Sequence, residues 1–238
     1  MVLLSVPDYN HGQGLEIHIR TKVVRFFSYV ERIALKIGDD VLEVSGGMRN
    51  RKFWHNGKEG SIQKKKQEDG VLLPIQVGGN SVSFESQSSG ISWQYTIDLP
   101  EGQKVVLKTV KEYMRVDVQE PKQGYFGTAK GLMGTFQDDR MLSRDGSIYF
   151  ADPNQYGEEW QVRDTDRTLF GKPDGPQYPE QCEMPSNWWE RSITRRLAEG
   201  SISLNDAEKA CAHVRKVERN DCVNDVVGTG DLEMALGY

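Results

Sequence analysis

The chain alternates apolar and polar residues with a period of two from residue 14 to about residue 120. In the first run, residues 15–20, leucine and isoleucine alternate with glutamate, histidine and arginine. Because successive side chains of a strand point to opposite faces, this pattern predicts a half-buried antiparallel strand. Turn residues recur about every 8–12 positions, a spacing typical of sandwiches and barrels. The sequence therefore predicts a mainly β protein, either an antiparallel two-sheet sandwich or an open barrel-like domain.

Several turns are marked by glycine, asparagine and aspartate between alternating runs. The strongest is Asn56-Gly57, a pair that favours a two-residue hairpin because both residues tolerate positive φ. Similar signals lie at Gly38–Asp40 and at Gly78–Asn80. Trp93 lies on the apolar face of its run and is predicted to be in the core. The opening residues 1–7 are predicted to form a strand, since they lack the basic start and the apolar length of a signal peptide.

The regular alternation ends near residue 120. Residues 121–175 are predicted to be loops with short strands, including residues 131–136 and 147–150. Prolines at 173, 176 and 179 then indicate a linker. The predicted organisation is a β domain over residues 1–170, a proline-rich linker over 171–185 and a helical, cysteine-containing tail over 186–238.

The tail changes to a helical period. Ser203 offers a helix N-cap, and apolar residues from Ala207 to Val217 recur at helical spacing. This pattern predicts an amphipathic helix that extends to Val217, in a short α-helical appendage that includes a second predicted helix over residues 186–197.

Composition limits the possible partners. The 238-residue chain has a formal net charge of −5, which argues against nucleic-acid binding because phosphate recognition needs a concentrated basic surface. No window approaches the roughly 18 uninterrupted apolar residues of a membrane-spanning helix. We therefore expect no nucleic-acid partner and no transmembrane segment.

The three cysteines all lie in the last quarter of the chain. Cys211 and Cys222 are close enough in sequence for a local disulfide that ties a helix to the segment after it, which would leave Cys182 unpaired. The alternative is three reduced thiols in a cytosolic protein.

Three stretches carry a family resemblance: Gly14–Thr21, Gly131–Phe136, and Tyr156–Trp160 with Leu169-Phe170 after it. In this order and spacing, over roughly residues 14–170, they resemble a von Willebrand factor type D domain of a divergent, microalgal type. Gly157–Trp160 resembles the closing Gly-x-x-Trp strand of that family. The resemblance implies a non-catalytic extracellular or cell-surface module that mediates adhesion or matrix assembly, with other proteins or glycans as partners.

The chain also departs from the family pattern. It lacks the family's opening Gly-Asp-Pro-His hairpin and the cysteine before the first strand, which suggests a truncated copy or a lost hairpin. An upstream cysteine would give Cys182 a partner. Met133 replaces a family cysteine, and no Cys-x-x-Cys pair is present, so disulfide-linked multimers are not expected.

Calcium is the one cofactor that the resemblance suggests. The positions that match its ligands hold Thr135, Gln137, Asp138 and Asp139. Calcium prefers six to eight oxygen ligands, and only two carboxylates remain here. Gln137, Asp138 and Asp139 are therefore a candidate calcium site, with a solvent-exposed acidic turn as the alternative.

Two other functions are possible. A carbohydrate-binding β-sandwich module could use Trp188 and Trp189 as an exposed aromatic platform. A glycoside-active enzyme would need two carboxylates flanking the bond, but the acids of Glu158-Glu159 and of Asp138-Asp139 are adjacent and would point to opposite faces of a strand. No catalytic residue is predicted.

Overall fold

A computed structural model describes most of the 238-residue chain. The described residues are 1–24, 27–47, 52–60, 75–87, 91–120, 126–136, 140–163, 165–171 and 202–238. The chain divides into two compact units, one of Met1–Thr21 with Val30–Pro173 and one of Lys22–Tyr29 with Asp174–Tyr238. The predicted linker, residues 171–185, lies outside the described residues except for Gly171, so its boundaries stay a prediction.

Strands are the main regular element of the described residues. They are β1 Val2–Val6, β2 Leu15–Val24, β3 Phe27–Ile37, β4 Asp40–Ser45, β5 Lys52–His55, β6 Lys58–Gly60, β7 Ile75–Val77, β8 Asn80–Gln87, β9 Ser92–Asp98, β10 Lys104–Val110 and β11 Tyr113–Gln119. Within the described residues they form one sheet of 11 strands, with the order β6-β5-β4-β3-β11-β10-β9-β8-β7 and with β2 joining β1 to β3. The prediction of a mainly β protein is confirmed, in its open barrel-like form.

The sheet carries its core on one face because the register aligns apolar residues of neighbouring strands. Tyr95 pairs with Leu107, which pairs in turn with Val116. Tyr95 and Leu107 are almost completely buried, and Trp93 belongs to the same core, as predicted from its alternation. The opposite face of these strands carries ion pairs such as Lys108 with Asp117, at 3.3 Å.

The sheet curls so that hairpins far apart in strand order meet. The carboxylate of Asp40, at the start of β4, accepts a hydrogen bond from the backbone amide of Gly78 in the β7–β8 turn at 2.9 Å. It also accepts one from Nδ2 of Asn56 in the β5–β6 turn at 2.9 Å. These bonds hold the pKa of Asp40 below its usual value, and the bond from the side-chain amide of Asn56 has the largest effect. Three turns that the sequence predicted separately are therefore joined at one rim of the sheet.

The described helices are short: α1 Tyr9–Gly12, α2 Pro153–Glu159, α3 Leu204–Ala210 and α4 Arg219–Thr229, with 3-10 turns at Pro100–Gly102, Cys211–His213 and Leu232–Gly237. Helix α2 corrects the sequence prediction, which placed the Gly-x-x-Trp segment in a strand. The side chain of Asp152 accepts the backbone N–H of Asn154 at 2.9 Å, and Pro153 occupies the first turn. An N-cap followed by proline starts a helix, and this signal outweighs the local resemblance.

The tail also differs from the prediction of one helix that extends to Val217. Ser203 is the N-cap as predicted, since Oγ accepts the amide of Asp206 at 3.1 Å, but α3 ends at Ala210 and Val217 is 80% exposed. A 3-10 turn at Cys211–His213 follows α3, and Cys211 is bonded to Cys222 of α4 with the two Cα atoms 6.0 Å apart. A continuous helix would separate the two cysteines by about 16 Å along its axis, so the chain must turn back between them.

Residues 131–136 and 147–150 are not strands. The first stretch consists of turns and extended residues, and the second contributes one isolated bridge between Leu142 and Tyr149. Residues 131–136 form backbone hydrogen bonds with β1, and residues 147–150 take part in turn hydrogen bonds, instead of the ladder of a regular strand.

Candidate functional site

Most of the residues that carry the family resemblance, all except Leu169-Phe170, meet along β1. One edge of β1 pairs with β2, which contains most of the first stretch. The other edge receives residues 130–133, since Lys130 and Ser5 exchange backbone hydrogen bonds of 2.6 and 2.9 Å. The amide of Leu132 donates to the carbonyl of Val2 at 3.1 Å. We call this region, made of β1, residues 130–133, Tyr156 and Trp160, the β1 junction.

Gly131 is required for this close approach. Its φ is +148°, and a Cβ at this position would lie 2.3 Å from the carbonyl oxygen of Leu3. Neither atom belongs to a flexible side chain, so any larger residue forces the two backbones apart. The first glycine of the Gly-Leu-Met-Gly motif therefore serves packing between backbone segments.

Helix α2 and the residue that follows it, Trp160, form hydrogen bonds with Gly131 and with β1. The hydroxyl of Tyr156 donates to the carbonyl of Gly131, and burial raises the pKa of this tyrosine. The carbonyl of Trp160 accepts the amide of Val2 at 2.8 Å, and its indole Nε1 donates to the carbonyl of Leu142 at 3.1 Å. The second and third stretches thus hold β1 in place through hydrogen bonds that use their polar groups.

Arg144 is a central residue of the adjacent loop that the sequence did not reveal. Its Nε donates to the carbonyl of Glu159 at 2.8 Å, and its Nη1 donates to the carboxylate of Asp166 at 2.9 Å. Its guanidinium lies 5.6 Å from the ring centroid of Trp160. A single arginine in an irregular loop carries no periodic signal, which is why only the tertiary structure shows this role.

The loop that follows Arg144 is closed by Asp145. Its carboxylate accepts the hydroxyl of Ser143 at 2.6 Å and both the amide and hydroxyl of Ser147, at 2.9 and 2.8 Å. These bonds lower the pKa of Asp145 to about 2, and the bond from the hydroxyl of Ser143 has the largest effect. The carboxylate of Asp145 therefore stabilises the turn between Ser143 and Ser147.

Leu169 and Phe170 pack on the second face of the sheet, against Ala34. Next to them, the amide of Gly171 donates to Oε2 of Glu43 at 3.0 Å. Oε1 of Glu43 accepts a charge-assisted hydrogen bond from Arg32 at 3.1 Å, although the glutamate is only 4% exposed. The last part of the resemblance is therefore also used in packing.

The candidate calcium residues, Gln137, Asp138 and Asp139, lie outside the described residues. The flanking Thr135 accepts the amide of Arg140 through Oγ1 at 3.3 Å. Within the part of the chain that the structure describes, no group of three or more His, Cys, Asp or Glu side chains is placed to hold a metal ion. The calcium site stays a prediction.

The aromatic platform proposed for glycans, Trp188 and Trp189, also lies outside the described residues, as does Cys182. A different aromatic is exposed: Tyr149 is 54% accessible, and the guanidinium of Arg140 lies 4.6 Å from its ring centroid. The prediction of a short strand at residues 147–150 did not identify this side chain as exposed.

Of the two acidic pairs considered for glycoside chemistry, Glu158-Glu159 is in helix α2. The argument that strand geometry separates the two side chains therefore does not apply to this pair. Oε1 of Glu159 accepts the amide of Arg144 at 3.1 Å, and Oε2 forms an ion pair with Arg163 at 2.7 Å. The disulfide prediction, in contrast, is confirmed: Cys211 and Cys222 are bonded.

Comparison of the sequence with protein-family models and with curated proteins finds no match. None of the described helices has the length and apolar character needed to cross a membrane. Fold and site together define a mainly β protein with a curled antiparallel sheet, a β1 junction built for packing and a disulfide-bonded helical segment.

Proposed function

We propose that this protein is a non-catalytic structural or adhesion module that acts outside the cell or at its surface, as the resemblance to von Willebrand type D domains implies. The observation that carries the proposal is the β1 junction. Gly131, Tyr156 and Trp160 occur in the order of that family, and each makes contacts that hold β1. Because these residues serve packing, we assign partner binding to the exposed surface of the module.

The Cys211–Cys222 disulfide supports an extracellular location. Such bonds persist in oxidising compartments and are rare in the cytosol, where thiols are kept reduced. The net charge of −5 favours protein or glycan partners over nucleic acid.

The proposal is tested by binding of the purified, oxidised protein. The full chain is immobilised and probed with itself, with a panel of purified matrix proteins and with a glycan array. Saturable binding to a protein is the expected result. Binding confined to glycans, lost in a Trp188→Ala/Trp189→Ala variant, would replace the proposal with the carbohydrate-binding alternative.

Catalysis is tested on the same preparation. Incubation with aryl glycosides should release no aryl alcohol above the rate of the heat-inactivated protein. Turnover that depends on protein concentration would overturn the non-catalytic assignment.

Calcium is part of the proposal only as a ligand of the candidate residues Gln137, Asp138 and Asp139. Melting curves with calcium and with a chelator should differ for the wild type but not for an Asp138→Asn/Asp139→Asn variant. Identical wild-type curves would remove the ion from the proposal.

A further inference from the structure

The disulfide lies in a helical segment, residues 202–238, whose own described residues bury a small apolar interior. Its two helices, α3 and α4, have 7 and 11 residues. Helices shorter than about 12–15 residues are marginal in water without tertiary packing. The segment therefore depends on the contacts between its elements.

Among the described residues of the segment, those contacts involve few large apolar side chains. The buried residues are Ala207, Cys211, Val214, Cys222, Val226, Val227, Met234 and Ala235. The two sulfur atoms form the only covalent link across this interior in the described part of the chain. Small interiors of this kind usually need disulfides or metals to remain folded.

The polar contacts of the segment lie mostly at its surface. Arg219 donates through Nη2 to the carbonyls of Ala212 and Val214, at 3.0 and 3.1 Å. The hydroxyl of Tyr238 donates to Asp225 at 2.6 Å. Hydrogen bonds that compete with water contribute little individually, so they do not substitute for the covalent link.

We propose that the disulfide makes folding of residues 202–238 conditional on an oxidising environment, while strands β9 and β10 of the first unit fold independently of it. With both thiols reduced, the helical segment is largely open; with the bond formed, it is closed. Cys211 and Cys222 are both 0% exposed, so a reductant reaches the bond only when the segment opens. The bond therefore controls whether the segment folds, and the folded segment then protects the bond from reductants.

The redox step follows ordinary thiol–disulfide exchange. A thiolate of a dithiol reductant attacks one cysteine sulfur, and the other cysteine leaves as a thiolate that takes up a proton. The second reductant thiol then displaces the first cysteine, which also becomes a thiol. Two electrons and two protons pass to the protein, and the reductant becomes a cyclic disulfide.

The test is hydrogen exchange of the full chain, followed by mass spectrometry of its peptides. In a Cys211→Ala/Cys222→Ala variant, exchange at residues 204–229 should accelerate about 100-fold, the change expected from freeing a loop of this length. Peptides from β9 and β10 should exchange as in the wild type. A Cys182→Ala variant is the matched control, because it removes a cysteine but leaves the bond intact.

A second measurement uses the wild-type chain and so does not depend on a substitution. Dithiothreitol, added and then removed after alkylation of the thiols, should accelerate exchange in the same peptides. Reduction itself should be slow in buffer and faster in mild urea, because opening exposes the sulfurs. Unchanged exchange at residues 204–229 in both experiments, or equal loss of protection in β9 and β10, would overturn the proposal.

Discussion

The backbone amide of Gly78 donates a hydrogen bond to the carboxylate of Asp40 across 38 residues of sequence, at 2.9 Å. The bond joins the β7–β8 turn to the start of β4, although these strands are distant in the order of the sheet. Curling of the sheet is what brings the two together. Gly78 also packs closely, since a Cβ there would lie 2.4 Å from Cγ2 of Ile37.

The contact at Gly78 can be separated from the backbone strain of a positive φ. Gly78→Ala and Gly79→Ala both place alanine at positive φ, +57° and +80°, but only the first creates a contact with Ile37. We expect Gly79→Ala to destabilise by about 1 kcal/mol and Gly78→Ala by about 2 kcal/mol more, because the core is overpacked. Urea unfolding of both variants measures the difference, and equal midpoints would show that the contact is relaxed at little cost.

The β1 junction makes a second prediction. Gly131→Ala should destabilise by about 3 kcal/mol, because a methyl group cannot share space with the carbonyl of Leu3. The control is Gly12→Ala, also at positive φ but with no atom within 4 Å of the added Cβ, which should cost about 1 kcal/mol. Thermal melts followed by circular dichroism would test this. A Gly131→Ala protein as stable as the control would contradict the packing role.

The buried carboxylate of Glu43 gives a third. Glu43→Ala removes the acceptor of the Gly171 amide and of the Arg32 guanidinium, so it should destabilise by about 3 kcal/mol. Glu59→Ala, which removes an exposed ion pair with Lys52 at 2.9 Å, should cost less than about 0.5 kcal/mol. Urea unfolding of both variants is the measurement, and similar losses would mean that Glu43 is solvated.

Asp145 makes the pH dependence of its loop predictable. Hydrogen bonds from Ser143 and Ser147 lower its folded pKa to about 2, below the value of about 3.9 in an unfolded chain. Its stabilising contribution is therefore complete above about pH 4 and is lost as the pH falls through about 2. A carbon-13 NMR titration of the carboxyl group should show the low pKa in the wild type and a higher one in Ser143→Ala. An ordinary pKa in the wild type would mean that the turn is open in solution.

Much of the local structure could be predicted from the sequence. Period-two alternation identified β2 and β9 because it directly reflects which side chains face the core. Asn56-Gly57 identified a hairpin because few residue pairs tolerate its backbone angles. Ser203 and the pair Cys211–Cys222 were likewise read correctly from local chemistry.

Other features were misread where two local signals competed. The segment that ends at Trp160 resembled a strand of a known family, but Asp152 and Pro153 start a helix there. The tail period suggested a helix reaching Val217, but α3 ends at Ala210 and a 3-10 turn follows at Cys211–His213. The predicted calcium and glycan residues lie outside the described part of the chain and stay predictions.

The sequence by itself determined that the chain is mainly β and, where the period of two is regular, which face of a strand is apolar, because both depend on neighbours along the chain. Only the tertiary structure decided which strands are adjacent. Met114 of β11 pairs with Val30 of β3, 84 residues earlier, and no local pattern encodes such a pairing. The same is true of Arg144 and of the Asp40–Gly78 bond, since hydrogen bonds between distant segments exist only after the sheet has curled and brought them together.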